Sequence, residues 1–314
     1  MEVHVRDSIK QVDESTLLIG DLILHSSSGR SDTSSWYDST DNLSYTLTNA
    51  PVPPPPTVPL CANPRIILVY DAGERSAVWS IGNNAFCKVK TLEEGVTSEA
   101  TTLAFVHGQK PSFKIPCVIH ETKDNTRSYL FITRVPGRTL AAAWPTLDET
   151  WKYHYVNEVV KIIETLAGWE RSTFGGIDGK YMPENYLAKR PEDYLTNPYN
   201  RDFRPQELTE NCQMLGMDCS TFVFYHADLG PVNIIVEDVP KAGTIGIIDW
   251  EIAGYVPKGW IRTKFRLSSG LDLPDPGPGE ESYWWRSEVQ KSLGRRGFVD
   301  HVKEWVAWRQ ISQG

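Results

Sequence analysis

From about residue 64 the chain alternates short apolar runs with polar turns. RIILVY, SAVWSIG and AFCKVK are rich in β-branched, aromatic and apolar residues, with Asp-Ala-Gly-Glu and Gly-Asn-Asn between them. That pattern predicts three consecutive strands. A helix is expected next, over about residues 93–107, because Val96, Ala100, Leu103 and Ala104 recur at helical spacing. Another strand, YLFITRV, stops at the turn signal Pro136-Gly137. Beyond it the period turns helical. In WKYHYVNEVVKIIETLAGWE one face carries Tyr155, Val159, Ile162, Ile163 and Leu166, which reads as a core stripe. A loop-rich stretch follows, then two short apolar strands around a turn, and the C-terminal third reads as helices.

Residues 1–58 have a different texture. The Ser/Thr-rich tract HSSSGRSDTSSWYDSTDNLSYTLT runs into prolines at 51, 53–56 and 59. Such a composition offers little apolar area against its ordering entropy, and the prolines favour extended backbone. A loose, dispensable arm with a semi-rigid linker is therefore expected. Within it, VDESTLLIGDLIL reads as a short amphipathic helix capped by Asp13 or Ser15. The expected organisation is an arm (1–58), a small sheet with one helix (59–135) and a mainly helical part (136–314).

Composition removes several classes. Forty per cent hydrophobic residues in 314 allow a sizeable core. A net charge of −8 argues against a nucleic-acid footprint, which needs a basic face. Five cysteines (Cys61, Cys87, Cys117, Cys212 and Cys219) are odd in number and scattered without a C-x-x-C pair. They suit reduced thiols in the cytoplasm and neither a disulfide framework nor a zinc site. The run LLIGDLIL is too short to span a bilayer, and it lacks a basic leader and a small-residue cleavage site. A membrane partner is not expected, and oligomeric state is not written in the sequence.

The segment carrying chemistry is His226-Ala-Asp228-Leu-Gly-Pro-Val-Asn233, followed by IIV, a polar turn and IGII-Asp249. The apolar triplet and quartet predict a buried antiparallel hairpin, whose open end brings Asn233 and Asp249 together. An amide oxygen and a carboxylate are hard ligands suited to Mg²⁺. Asp228, on the same loop, is placed to contact an incoming hydroxyl. These are the parts of phosphoryl transfer, where positioning and charge neutralisation dominate. H-x-D-x-x-x-x-N also has the spacing of a kinase catalytic loop. His226 is expected to brace this loop by hydrogen bonds rather than to move a proton.

With those residues in place, FVFYHADLGPVNIIV…GIIDWEIAGYVPKGWIRTK resembles the aminoglycoside phosphotransferase family, in its uncharacterised branch common in fungi. GGIDGKYMPENYL is similar to the same branch, and the likeness covers roughly residues 64–270. The resemblance implies an α+β, protein-kinase-like bilobal fold, with a small sheet-rich N-lobe and a larger, mainly helical C-lobe. It implies ATP in the cleft, Asp228 as the catalytic aspartate and Asn233 with Asp249 on Mg²⁺. The first lobe should then supply a lysine for the α/β-phosphates. Lys88 and Lys90 share one strand face. If Lys88 takes that role, Phe86 can cover the adenine, whereas a Lys90 role would set the Lys88 ammonium against the base. Glu93, Glu94 and Glu99 compete to hold the lysine, and Glu99 resembles the family's S-E-A position.

Departures are visible too. No G-x-G-x-x-G precedes AFCK, and Ala227 stands where the family commonly has glycine. No D-F-G…A-P-E segment follows Asp249, which favours a small-molecule acceptor over a protein. The reading is an ATP- and Mg-dependent phosphotransferase acting on a small-molecule hydroxyl. The alternatives are a pseudokinase-like binding or scaffold protein, or the same fold repurposed for a non-phosphoryl reaction. Among the remaining residues, Arg262 and Lys264 are candidates for phosphate or surface pairing. Glu280, Glu281 and Glu288 are candidates for a cationic pocket or a solvated face, and the tryptophans for helix packing or an aromatic box.

Overall fold

A computed structural model describes residues 4–189, 201–277 and 279–311. The chain divides into two compact units, 1–94 with 116–134 and 95–115 with 135–314. Among the described residues no helix is long and apolar enough to cross a membrane.

The first unit is two antiparallel sheets on one core. Strands β1 (Ile9–Gln11), β2 (Thr16–Ile19), β3 (Leu22–Ser28), β4 (Trp36–Asp38), β5 (Leu43–Asn49) and β6 (Val58–Pro59) form a six-stranded sheet ordered β4-β5-β3-β2-β1-β6. Strands β7 (Ile66–Asp71), β8 (Ser76–Ile81), β9 (Ala85–Thr91), β10 (Val118–Lys123) and β11 (Arg127–Thr133) form a second, ordered β10-β11-β9-β8-β7. The expected loose arm is thus a folded sheet. Leu17, Ile19, Leu22, Leu24, Trp36 and Tyr45 share a buried cluster with Ala77, Trp79, Ile81, Cys87, Val89 and Phe131.

The physical reason lies in the two-residue period. LLI and LIL each send alternate residues inward, and Gly20-Asp21 forms the tight turn that pairs Ile19 with Leu22. Gly20, at φ +60°, has no room for a side chain, because an added Cβ would lie 2.7 Å from the Tyr129 ring. The expected helix is therefore a hairpin, and Asp13 makes a turn with the Ser15 N–H instead of capping (2.8 Å). The Ser/Thr-rich stretch runs through the end of β3, β4 and β5, and β5 turns Leu43 and Tyr45 into the core.

Asp38 locks the two sheets. Its carboxylate accepts from the Asn83 backbone N–H at 2.6 Å, from Asn83 Nδ2 at 3.0 Å and from the Thr40 N–H at 3.0 Å. Burial alone would raise this carboxyl, but those donors outweigh it and hold the group below its ordinary value. In the second sheet β7, β8, β9 and β11 fall where the sequence places them.

The second unit begins with α1 (Glu99–Gly108), whose Ser98 hydroxyl caps the Thr101 N–H at 3.2 Å. It starts later than expected, since Gly95 turns the chain at φ +76° and Val96 bridges to Tyr181. The helix also groups with this unit and not with the strands before it. Next come β12 (Arg138–Thr139), α2 (Leu140–Ala143) and α3 (Glu149–Ala167). Asp148 caps α3, and its predicted stripe of Tyr155, Val159, Ile162, Ile163 and Leu166 is buried. After β13 (Glu170–Arg171) and α4 (Pro205–Met214) come β14 (Phe222–His226), β15 (Ile234–Val236), β16 (Ile245–Ile247) and β17 (Ala253–Pro257). Helices α5 (Lys258–Leu267), α6 (Trp284–Arg295) and α7 (Val302–Ile311) complete it. Two three-stranded sheets, β12-β15-β16 and β13-β14-β17, carry the candidate site. The architecture is α+β, sheet-rich in the first unit and mainly helical in the second.

Two outcomes are expected. A chain starting at Pro59 uncovers Trp79, Ile81, Cys87 and Val89, so it should be insoluble or lose the near-UV signal of a packed first unit; soluble, cooperative melting close to full length would refute the shared core. Asp38→Asn should cost about 1–3 kcal/mol at neutral pH by leaving a donor of Asn83 unmatched. Because folding lowers the Asp38 pKa, its stabilisation is complete above the unfolded value of about 3.9 and is lost as pH falls through the folded value. The wild-type advantage in urea melts should therefore shrink below about pH 4.

Candidate functional site

Strand β14 is buried along its whole length and ends at His226. The chain then turns through Ala227–Asn233 into β15. The expected hairpin is present, with Ile234 opposite Ile247 and Val236 opposite Ile245. At its open end the Ile248 N–H donates to the Asn233 carbonyl at 3.0 Å, which sets Asn233 beside the residue preceding Asp249. Asp249 itself sits in the left-handed region at φ 64°, ψ 60°, an uncommon conformation for a residue with a side chain. A short 3₁₀ turn, Trp250–Ile252, follows.

His226 is fully buried and ties the two halves together. The Asp228 N–H donates to Nδ1 at 3.3 Å, so Nδ1 is the acceptor and Nε2 carries the proton. That Nε2 donates to the Ile248 carbonyl at 3.0 Å. Burial holds the imidazole below its ordinary pKa despite the nearby Asp228 and Asp249 charges, so it stays neutral. The Trp250 ring packs edge-on against it, with centroids 4.8 Å apart.

Asn233 uses its amide nitrogen on Asp228, donating to the backbone carbonyl at 2.8 Å and to Oδ2 at 2.9 Å. Two acceptors on one side fix the amide's orientation and leave its oxygen as the group offered to a cation. Burial, reinforced by the Asp249 charge, pushes the Asp228 carboxyl above its ordinary value. His226, Asp228, Asn233 and Asp249 are therefore brought together by the backbone.

Glu99 enters the same region from the start of α1. It is buried, and its Oε1 accepts the Trp250 N–H at 3.1 Å. Carboxylate oxygens of Glu99, Asp249 and Glu251 all lie within 4.8 Å of one another. Hard oxygen donors so grouped match the needs of a magnesium ion, which takes one or two carboxylates and completes its shell with water and phosphate. Glu251 carries no signal of its own in the sequence, because its approach to Glu99 depends on a fold-back that local spacing does not reveal.

Phe86, Lys88 and Lys90 lie in the first unit, on the face of β9 opposite the shared core. Val78 and Leu130 flank Lys88 across the sheet, whereas Ser76 and Ser128 flank Lys90. Lys88 is buried and Lys90 only half so. Arg134 was not anticipated: its guanidinium lies 4.2 Å over the Phe86 ring and donates to Ser80 Oγ at 2.7 Å.

Three surface-or-site questions resolve in the second unit. Lys264 is inside the protein, donating to both oxygens of buried Glu184 at 2.7 and 2.8 Å. Trp260 Nε1 adds a third bond to that carboxylate at 3.2 Å, and the ammonium lies 4.5 Å over the Tyr186 ring. Arg262 pairs with Asp300 at 3.3 Å. Glu280 pairs with Lys152 and accepts from Trp144 Nε1 at 2.9 Å, and Lys152 lies 5.4 Å over the Trp144 ring. That aromatic surface already holds a cation of its own chain.

Residues 69–257 match the profile of the phosphotransferase enzyme family, a span containing Phe86, Lys88, Glu99, His226, Asp228, Asn233 and Asp249. Among solved structures, the chain is similar to the aminoglycoside phosphotransferase APH(3'')-Id from Streptomyces rimosus, with 16% identity and a TM-score of 0.49 over 76% of this chain and 90% of that one. It is similar to an aminoglycoside-3'-phosphotransferase of type VIII at 18% identity, TM-score 0.47, over 80% and 94% of the two chains. It is also similar to ADP-bound APH(2'')-Ib at 13% identity, TM-score 0.44, over 79% and 80%. No curated protein matches in sequence.

Lys264→Met should destabilise by about 3–5 kcal/mol, because it leaves Glu184 charged and buried without its cation. Glu184→Gln combined with Lys264→Met should recover part of that loss. A single-variant melting temperature within a degree or so of wild type would show the pair to be solvated.

Proposed function

The chain belongs to the phosphotransferase enzyme family, and from that premise we propose that it transfers the γ-phosphoryl group of ATP, with magnesium, to a hydroxyl of a small molecule. The observation that supports the reading is the bonded pair of Asp228 and Asn233, with Asp249 next to the residue that bonds the Asn233 carbonyl, at the open end of one hairpin. In the proposed reaction the acceptor hydroxyl donates to Asp228 while its oxygen attacks the γ-phosphorus. The proton passes to the Asp228 carboxylate as the bond to ADP breaks. A carboxyl raised by burial is a better base near neutrality than an ordinary aspartate.

Asp249 and the amide oxygen of Asn233 would hold the metal, with Glu99 and Glu251 adding negative charge beside it. Magnesium bound there supplies neutralisation of phosphate charge. Lys88 would meet the α/β-phosphates and Phe86 the adenine, with Arg134 stacked on its ring. Glu99, by resemblance the partner of Lys88, also accepts from the backbone N–H of Trp250 beside Asp249. His226 acts by bracing. A small acceptor is supported by the path after Asp249, which passes through one 3₁₀ turn into β17 and α5 with no intervening activation segment. Cysteines without disulfides support a reducing compartment such as the cytoplasm.

ATP at about 100 times its Kd should add about 2.7 kcal/mol of stability. That corresponds to a melting shift of several degrees at roughly 2–4 °C per kcal/mol, and it should need magnesium. Asp249→Asn should remove the magnesium-dependent part, and Lys88→Ala should weaken the shift with ATP and ADP alike. Asp228→Asn should keep the shift while lowering turnover roughly 10²–10⁴-fold once an acceptor is in hand. A wild-type shift indifferent to magnesium would favour a binding protein over an enzyme.

A further inference from the structure

The last turn of α4 carries Cys212 on its buried face, four residues after buried Leu208. The chain leaves the helix at Gly216, φ +72°, and folds straight back. The Gly216 N–H donates to the Gln213 carbonyl at 2.9 Å and the Met217 N–H to the Cys212 carbonyl at 3.1 Å. This return lays Cys219 against the turn it has just left, with its Sγ 3.9 Å from the Thr209 carbonyl oxygen. Cys212 follows Thr209 by three residues on the same helix, so the fold-back sets the Cys219 sulfur beside the Cys212 thiol, and each perturbs the other's ionisation. Cys212 has no accessible surface, whereas Cys219 is half-exposed.

We propose that Cys212 and Cys219 form a reversible disulfide, a redox site on the strap that enters β14. The pair is asymmetric in the way thiol exchange requires. Burial, with Cys219 beside it, pushes the Cys212 thiol up, whereas the neighbouring Cys212 pulls Cys219 below its ordinary value. Cys219 is therefore the more accessible and more readily ionised thiol, and Cys212 the resolving one. With oxidised glutathione, the Cys219 thiolate attacks one sulfur of the S–S bond, forming a mixed disulfide and releasing one glutathione thiolate. The Cys212 sulfur then attacks the Cys219 sulfur, closing the intramolecular bond and releasing the second glutathione. Two electrons pass from the protein thiols to the glutathione disulfide, and the two thiol protons end on the released glutathiones or in solvent.

The other cysteines lack this arrangement. Cys87 is buried in the first unit's core, where desolvation pushes its thiol up, while Cys61 and Cys117 are exposed. No sequence motif marks the pair, because the seven-residue spacing meets only through the fold-back. The closed ring ends three residues before Phe222, the first residue of the strand that terminates in His226.

The test treats the full chain with millimolar oxidised glutathione, blocks remaining thiols with iodoacetamide and maps peptides without reduction. The expected product links the Cys212 and Cys219 peptides with loss of two hydrogens, and dithiothreitol reverses it. Cys219→Ser should give no linkage and leave Cys212 unmodified in the folded protein. Cys212→Ser should trap glutathione on Cys219. Stable glutathionylation of wild-type Cys219 with no passage to Cys212 would overturn the proposal. So would oxidation confined to Cys61 and Cys117.

Discussion

One backbone hydrogen bond, from the Ile248 N–H to the Asn233 carbonyl, sets the register on which the candidate chemistry depends. A slip of one residue would turn every side chain of the hairpin to the opposite face. His226 reinforces the same register from the side, since its two ring nitrogens bond Asp228 on one segment and Ile248 on the other. A protonated ring would lose its acceptor and break the first of these contacts. Burial prevents that by disfavouring the charged form. Geometry and electrostatics therefore support one another: the neutral ring holds the loop, and the loop seals the ring.

Two buried polar arrangements divide the remaining work. In the first unit Asp38 is matched by backbone and amide donors, so its charge is dispersed over neutral dipoles. In the second, Glu184 meets an ammonium, an indole and a backbone N–H from Tyr186 at 3.1 Å. The latter joins a loop to α5 over a separation of eighty residues and specifies which turn of the helix meets which segment. A hydrophobic pair of equal volume would bury as well but would tolerate sliding.

The hairpin and its flanking residues were legible because everything they need is local: two apolar runs, a polar turn and polar residues at the open end. The strand carrying Phe86 and Lys88 was legible for the same reason. Residues 1–58 were not. Composition averages over both faces of a strand, and in Leu43–Asn49 only the inner face is apolar. The Gly20-Asp21 turn was the available signal, and it sat inside a run that reads as a helix when the turn is ignored. Lys264 and Glu280 could not be placed from sequence, since each partner lies far along the chain and an isolated charge reads by default as surface. Arg134 escaped notice because an arginine at a strand's end has no spacing rule connecting it to an aromatic residue on a neighbouring strand.

The left-handed backbone at Asp249 has a consequence for variation at that position. Conformation filters the amino acids before chemistry does. Asparagine and glycine visit this region readily, whereas β-branched and bulky residues meet a steric penalty there. Glutamate, though it keeps the charge, brings an extra methylene and a less compatible backbone. The pool of tolerated replacements is thus small residues without a negative charge, and the negatively charged ones fit poorly. Drift at this site removes the carboxylate while leaving the hairpin intact, which makes it a natural point at which a copy of such a chain loses the proposed metal ligand and keeps its fold.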